Sequence, residues 1–252
     1  MSSVSNGGAY FDERAGRYDR AYDARGADGH ALRSRLDAVL RLVGSGPGDA
    51  LDAGMGPGRL VAELARRGWS ISGIDASAEM VEAARARFPE AAGDLVIAEI
   101  ERLPFSAASF DLAVATGVLE YARVEEALAE LARVLRPGGR AVVSYPNPEA
   151  LYGIWKSRVW YRSVRGLKRL AGRPPVALPQ GSDIVPPAQV RSLLARAGFE
   201  PQTTEYTSFL LLPTPLDLAL PGLSERLGRR LEAGDRGGRR LGTQVVYSAI
   251  KR

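Results

Sequence analysis

The 252-residue chain contains no cysteine. Disulfide frameworks, thiolate zinc sites and cysteine nucleophiles are therefore excluded. Histidine occurs once, at His30, which leaves a single imidazole for acid–base work. No run of 18 apolar residues exists to form a membrane-spanning helix. The opening MSSVSNGGAYFDER lacks the basic and apolar regions of a secretory signal, so a soluble cytoplasmic protein is expected. The length suffices for one large core and does not force a second independent domain.

The excess of positive charge is confined to one part of the chain. Residues 1–150 hold 17 basic and 22 acidic side chains, whereas 151–252 hold 17 basic and 7 acidic. The densest basic stretch, 151–175, has seven Lys or Arg and no acid, together with Tyr152, Trp155, Trp160 and Tyr161. Three readings stay open for it: a basic amphipathic surface helix at a membrane or lipid-linked acceptor, a lid whose aromatics form a pocket, or a solvated face over core aromatics. Total charge is only +5 and no RNA-binding module is visible, so a nucleic-acid partner is not expected.

Residues 51–60, LDAGMGPGRL, turn an apolar run into a glycine-rich bend and then a helix. Glycines at 54, 56 and 58 remove side-chain bulk where a ligand can lie against backbone at the carboxyl end of a buried strand. Asp75 ends the next apolar strand, WSISGID, within reach of a ribose diol. The run is not the GxGxxG of dinucleotide sites, and no GKS or GKT follows. Asp52, two positions before the first glycine, would repel a pyrophosphate and suits a cofactor carrying a cationic amino group.

Elsewhere, apolar periodicity predicts helices near 31–43, 59–67, 78–87, 124–136 and 187–197. Strands are predicted near 49–53, 69–75, 95–99, 110–116, 140–145, 199–207 and 243–250. Such alternation demands crossovers and hence an α/β fold with a mostly parallel sheet covered on both faces.

These motifs, with ERLPFSAASFDLAVATGVLEY (101–121) and LARVLRPGGRAVVSYPNP (131–148), resemble the class I methyltransferases that use S-adenosylmethionine. Within that family the chain looks like the small-molecule branch. The likeness covers about residues 45–148 and, more loosely, 186–206. It implies a Rossmann-like sheet of seven strands with the last antiparallel. An N-terminal helical cap (1–44) would precede the methyltransferase domain (45–252). The basic aromatic segment 150–185 and an insertion at 208–242 would complete that domain. Three prolines, Pro213, Pro215 and Pro221, argue for a loop or short helices in the insertion.

The resemblance also assigns roles. Asp52 would sit near the methionine ammonium, with Ala53, Gly54, Gly56 and Gly58 along the cofactor. Asp75 would take the ribose hydroxyls, with Ala76, Ser77 and Met80 beside it. Glu99 stands where an Asp near the adenine amino group is usual, and Ile100 would pack on the ring. Thr116, Gly117 and Val118 would border the methionine moiety. Tyr18 or Tyr22 would face its carboxylate, and Arg14 or Arg35 would pair with it. Tyr22, Glu120, Tyr121, Tyr145, Asn147 and Trp155 are the acceptor-side candidates. His30, Tyr121 and Tyr145 are the candidate catalytic groups, each with a packing role as its alternative. No metal is expected, because methyl transfer from a sulfonium needs alignment and exclusion of water more than it needs Lewis acid help.

The implied function is methyl transfer from S-adenosylmethionine to oxygen or nitrogen of a small-molecule metabolite, with S-adenosylhomocysteine as product, in the manner of secondary metabolism. A lipid-linked or quinone-like acceptor at a membrane surface, reached by peripheral contact, is the enzymatic alternative. A non-catalytic binding or scaffolding protein on the same fold is the other. The protein is expected as a monomer or homodimer.

Overall fold

The computed structural model describes residues 20–170, 184–212, 216–233 and 238–252. Its first long element is helix α1 (Ala27–Val43), followed by β1 (Asp49–Ala53), α2 (Arg59–Arg66), β2 (Ser70–Asp75) and α3 (Ala78–Arg87). Strands β3 (Leu95–Ile97) and β4 (Phe110–Ala115) lead to α4 (Val124–Val134) and β5 (Leu135–Pro146). Then come α5 (Leu151–Trp155), a π-helical turn (Lys156–Trp160), α6 (Tyr161–Leu170) and α7 (Pro187–Arg196). The chain finishes with β6 (Phe199–Phe209), α8 (Leu216–Ala219), α9 (Pro221–Ala233), α10 (Gly238–Leu241) and β7 (Gly242–Lys251).

The seven strands form one sheet in the order β3-β2-β1-β4-β5-β7-β6. Strands β3, β2, β1, β4 and β5 pair in parallel, and β7 runs antiparallel to both β5 and β6. The α/β Rossmann-like architecture with an antiparallel last strand is as the sequence implies. Successive strand residues face opposite sides, so each strand feeds two cores. Leu51, Ala113 and Val143 join Leu128, Leu131, Val190 and Leu194 of α4 and α7 on one face. Ala50, Leu112 and Val142 meet α1, α2 and α3 through Val39, Leu64 and Val81 on the other. Burial on both faces explains why these strands read as continuous apolar runs.

Local sequence chemistry sets several boundaries. Ser77 caps α3 by accepting the Met80 amide at 3.2 Å. Helix α4 has Glu125 and Glu126 in its first turn and Arg133 in its last, matching the helix dipole. Two elements differ from the sequence expectation. Helix α1 starts at Ala27, four residues early, because Gly29 and His30 are buried in its first turn instead of lying in a solvated loop. Strand β5 begins at Leu135 and absorbs RPGGR, with a register shift against β4 between Phe110 and Leu112. That irregularity hides the strand from a period-2 pattern.

Of the basic aromatic segment, 151–170 is helical and 171–183 lies outside the described residues. The insertion carries α8, α9 and α10, short helices as expected, although the 13-residue α9 is longer than its prolines suggest.

Leu128 is fully buried in the α4 layer. Replacing it with alanine should lower the free energy of unfolding by about 2–5 kcal/mol, read from the urea midpoint at unchanged slope.

Candidate active site

Chain order puts a crevice at one place in this sheet. From β1 the chain builds outward to β2 and β3 on one side, then returns to add β4 and β5 on the other. The loops after β1 and β4 therefore diverge, and the space beyond their carboxyl ends is the natural ligand site of an open α/β sheet. Asp52, Ala53 and the glycine turn leave β1 there, and Thr116, Gly117 and Val118 leave β4.

The glycine turn is braced by β2. Ile74 carbonyl accepts from the amides of Gly54 and Met55 at 2.8 and 2.9 Å. Asp75 accepts from the Gly56 amide through one oxygen and from the Ser77 amide through the other, both at 2.9 Å. A carboxylate has room for about four acceptor contacts, so bracing the turn is compatible with receiving a diol. Gly54 has a φ of +84°, and any Cβ there would lie 2.7 Å from that of Val118. Only glycine lets the two loops touch.

Charged groups are buried around this crevice. Asp52 is 1% exposed, and its Oδ2 has no hydrogen-bond partner among the described residues. Burial, reinforced by the Asp75 charge, pushes the Asp52 carboxyl up to about 8. Arg35, 6% exposed on α1, lays its guanidinium against Gly117, where a Cβ would meet its nitrogens at 2.8 and 2.9 Å. Burial raises the Glu120 carboxyl, and the Arg35 charge opposes that shift. Thr116 Oγ1 and Glu120 Oε2 are buried without partners among the described residues. The arrangement presents a carboxyl beside the glycine turn and a guanidinium cation beside the β4 loop.

Residues 51–143 match the sequence profile of a methyltransferase domain. The matched stretch runs from β1 through the glycine turn to β5, the part of the chain that builds the crevice. It is 36% identical over 151 residues to the biotin biosynthesis bifunctional protein BioHC of Cellvibrio japonicus, covering 60% of this chain and 28% of that protein. It is 37% identical over 155 residues to demethylmenaquinone methyltransferase of Beutenbergia cavernae, covering 58% of this chain and 62% of that protein. The chain thus spans less than two thirds of either relative. A solved S-adenosylmethionine-dependent methyltransferase from Thermotoga maritima, described as a possible histamine N-methyltransferase, superposes with a TM-score of 0.64 at 21% identity. That superposition covers 97% of this chain and 99% of the other, and it shows the shared fold.

S-adenosylmethionine is the cofactor of such domains, and the crevice fits it. A zwitterionic amino-acid end suits a buried carboxyl and a buried guanidinium, and Asp52 and Arg35 would supply one each. Asp75, at the tip of β2, would receive the ribose hydroxyls.

The remaining sequence candidates fall into three groups. Tyr18 and Arg14 lie outside the described residues. Tyr22 packs at the start of α2: its buried ring lies 4.7 Å beneath the guanidinium of Arg59, the first residue of that helix, and Arg59 also pairs with Asp23 at 3.0 Å. Ala76 and Glu99 are exposed near the ends of β2 and β3. Half-buried Tyr121 follows Glu120 in the single turn after β4.

Other candidates are engaged in structure. Met80 and Ile100 are buried packing residues, and Ser77 serves as the α3 cap. Tyr145 is 2% exposed and belongs to the α4–α7 core. Asn147 donates to the carbonyls of Arg239 and Gly242, each at 2.7 Å, and accepts from the Glu149 amide at 3.1 Å. These bonds fasten the end of β5 to the start of β7. Trp155 stacks on Trp160 with ring centres 6.2 Å apart.

His30 is 3% exposed and faces α9, with Nε2 3.5 Å from Glu232 Oε1. Glu232 also accepts from Ser34 Oγ and from the Phe209 amide at 3.3 Å, and Ser34 Oγ in turn accepts from the Ser208 amide at 3.0 Å. In this setting His30 ties α1 to the insertion.

Two residues that sequence reading passed over contribute to the site. Ser144 Oγ accepts the Gly117 amide at 3.0 Å and fixes the β4 loop; a lone polar residue in the apolar run AVVSY was its signal. Arg59 gave none beyond its place after the third glycine.

Asp52 generates a pH test. Below about pH 8 the buried carboxyl holds a proton that cofactor binding must expel, so calorimetric affinity for S-adenosylmethionine should rise about tenfold per unit from about pH 6 to about 7.5. Asp52→Asn should bind more weakly and flatten that slope. The ligand-free protein should lose stability as pH rises from the usual carboxyl value of 3.8 to about 8, because only the folded state keeps the proton. Thermal melts of Asp52→Asn should lack that fall.

Proposed function

We propose that the protein transfers the methyl group of S-adenosylmethionine to oxygen or nitrogen of a small-molecule metabolite, acting in the cytoplasm. The observation that carries the reading is the opposed pair at the crevice: a buried carboxyl with an unfilled oxygen at Asp52 and a buried guanidinium at Arg35. Neither charge is cheap to bury alone, and together they suit the two ends of one zwitterion.

The bound cofactor supplies a methyl group on a sulfonium, already an excellent leaving group. The chain's task is then to hold the acceptor's lone pair in line and keep water out. The Gly54–Val118 contact and the Ser144 bond to Gly117 fix the floor of the crevice. In this reading Tyr22, stacked under Arg59 beside the glycine turn's helix, covers the crevice from the N-terminal side. Where the acceptor begins protonated, Glu120 takes the proton at Oε2 in this reading, its carboxyl raised by burial against the opposing Arg35 charge.

A lipid-linked or quinone-like acceptor is a second reading, with one contact in its favour. Tyr152 of α5 donates its hydroxyl to Asp217 of α8 at 2.9 Å, both residues buried. The start of the basic aromatic segment thus touches the apolar insertion, and the likeness to a demethylmenaquinone methyltransferase points the same way.

Calorimetry should show binding of S-adenosylmethionine and none of NAD; the reverse result would overturn the assignment. Asp75→Ala should weaken cofactor binding by about 1–3 kcal/mol, as expected for lost charge-assisted hydrogen bonds. Glu120→Gln should retain cofactor affinity while slowing turnover of a protonated acceptor and removing the acidic limb of its pH profile; an unchanged profile would take the proton-accepting role away from Glu120.

A further inference from the structure

Seven large apolar side chains among the described residues are at least 36% exposed. One of them, Ile97, lies on the edge strand β3. The other six are Leu151, Val159, Leu211, Leu216, Leu220 and Leu223, which fall in only two stretches of chain, 151–159 and 211–223.

Those stretches are fastened together from beneath. The Tyr152–Asp217 hydrogen bond joins α5 to α8, and Leu151 and Leu216 each precede one of its partners. Tyr152 and Leu210 also form a small buried cluster with Ala27 at the start of α1. The hydrogen bond spends the only acid of the 211–223 stretch internally, and 151–170 contains no acid at all.

Arginines share the helical stretch of Leu151 and Val159. Arg158, Arg162, Arg165 and Arg169 are exposed, and none forms an ion pair among the described residues. Arginines elsewhere are commonly paired, as Arg33 and Arg229 are with Glu225 at 3.0 and 3.1 Å. The neighbouring Trp155 and Trp160 stack with their rings half-buried, an arrangement suited to a boundary between apolar and polar media.

We infer that this face docks on the surface of an anionic phospholipid membrane. Aliphatic side chains would enter the headgroup boundary and the unpaired arginines would meet lipid phosphates. Charge selects this occupant: a symmetric contact with a second copy would bring two sets of unpaired arginines together. The inference deepens the lipophilic-acceptor reading and rests on it, because α5 follows the carboxyl end of β5, the edge of the sheet at which the crevice lies.

The test uses the full chain with vesicles of phosphatidylcholine alone or in equal mixture with phosphatidylglycerol, read by co-sedimentation. Binding should be at least about tenfold stronger to the mixed vesicles and should fall in high salt. The double variant Arg162→Glu with Arg165→Glu should weaken it by about tenfold or more, and Leu216→Ser with Leu220→Ser should weaken it too, both at unchanged melting temperature. Equal binding to both vesicles, no binding, or no effect of the charge reversal would overturn the proposal. So would a concentration-dependent dimer, seen by light scattering and abolished by the leucine variants, in place of vesicle binding. Cofactor affinity measured on the same samples separates the two readings: vesicle binding lost with S-adenosylmethionine binding intact rejects the docking face alone, whereas absent cofactor binding rejects the methyltransferase reading.

Discussion

Two backbone amides held by one carboxylate fix the geometry on which the rest of the crevice depends. Asp75 grips the glycine turn through Gly56 and the start of α3 through Ser77. The turn must keep its shape for Gly54 to rest on Val118, and that contact brings the ends of β1 and β4 together. Everything placed around the crevice, from Asp52 to the Gly117 loop, inherits its position from this arrangement. The sheet order supplies the opening, and the carboxylate keeps its edge in register.

Electrostatics then distinguishes this opening from a generic cleft. A carboxyl buried at Asp52 is unfavourable in its charged form until a cation arrives. Arg35 faces the converse problem, eased in part by the nearby Glu120 charge. A ligand with one charge of each sign relieves both, so binding energy comes from desolvation already incurred during folding. Such preorganisation is the usual way a protein turns stability into affinity at a small site.

Much of this was legible in the sequence. Alternating strand and helix signals gave the layer order, and the spacing from the glycines to Asp75 located the crevice, because both features reflect backbone needs that few residue types satisfy. Side chains whose partners come from distant segments were less legible. Asn147, read as an acceptor contact, spends its amide on backbone 92 and 95 residues away. His30, read as a base, lies against α9, an element about 200 residues further along the chain. Arg35 carried no local signal that separated it from Arg14. Its burial against Gly117 depends on α1 packing over β5 and β7, which periodicity does not convey. The early start of α1 and the bulged opening of β5 escaped for the same reason, since tertiary contacts override local pattern there.

Glu232 gathers Ser34, the Phe209 amide and the neighbourhood of His30 into one buried polar knot between α1 and the insertion. Ser34 immediately precedes Arg35, the cation beside the β4 loop. A change in length or tilt of α9 would be transmitted along that knot to the guanidinium one residue away. Under the proposed function, reshaping the insertion would also retune the grip on the methyl donor, so the shape of that surface and the affinity of the crevice would drift together through evolution.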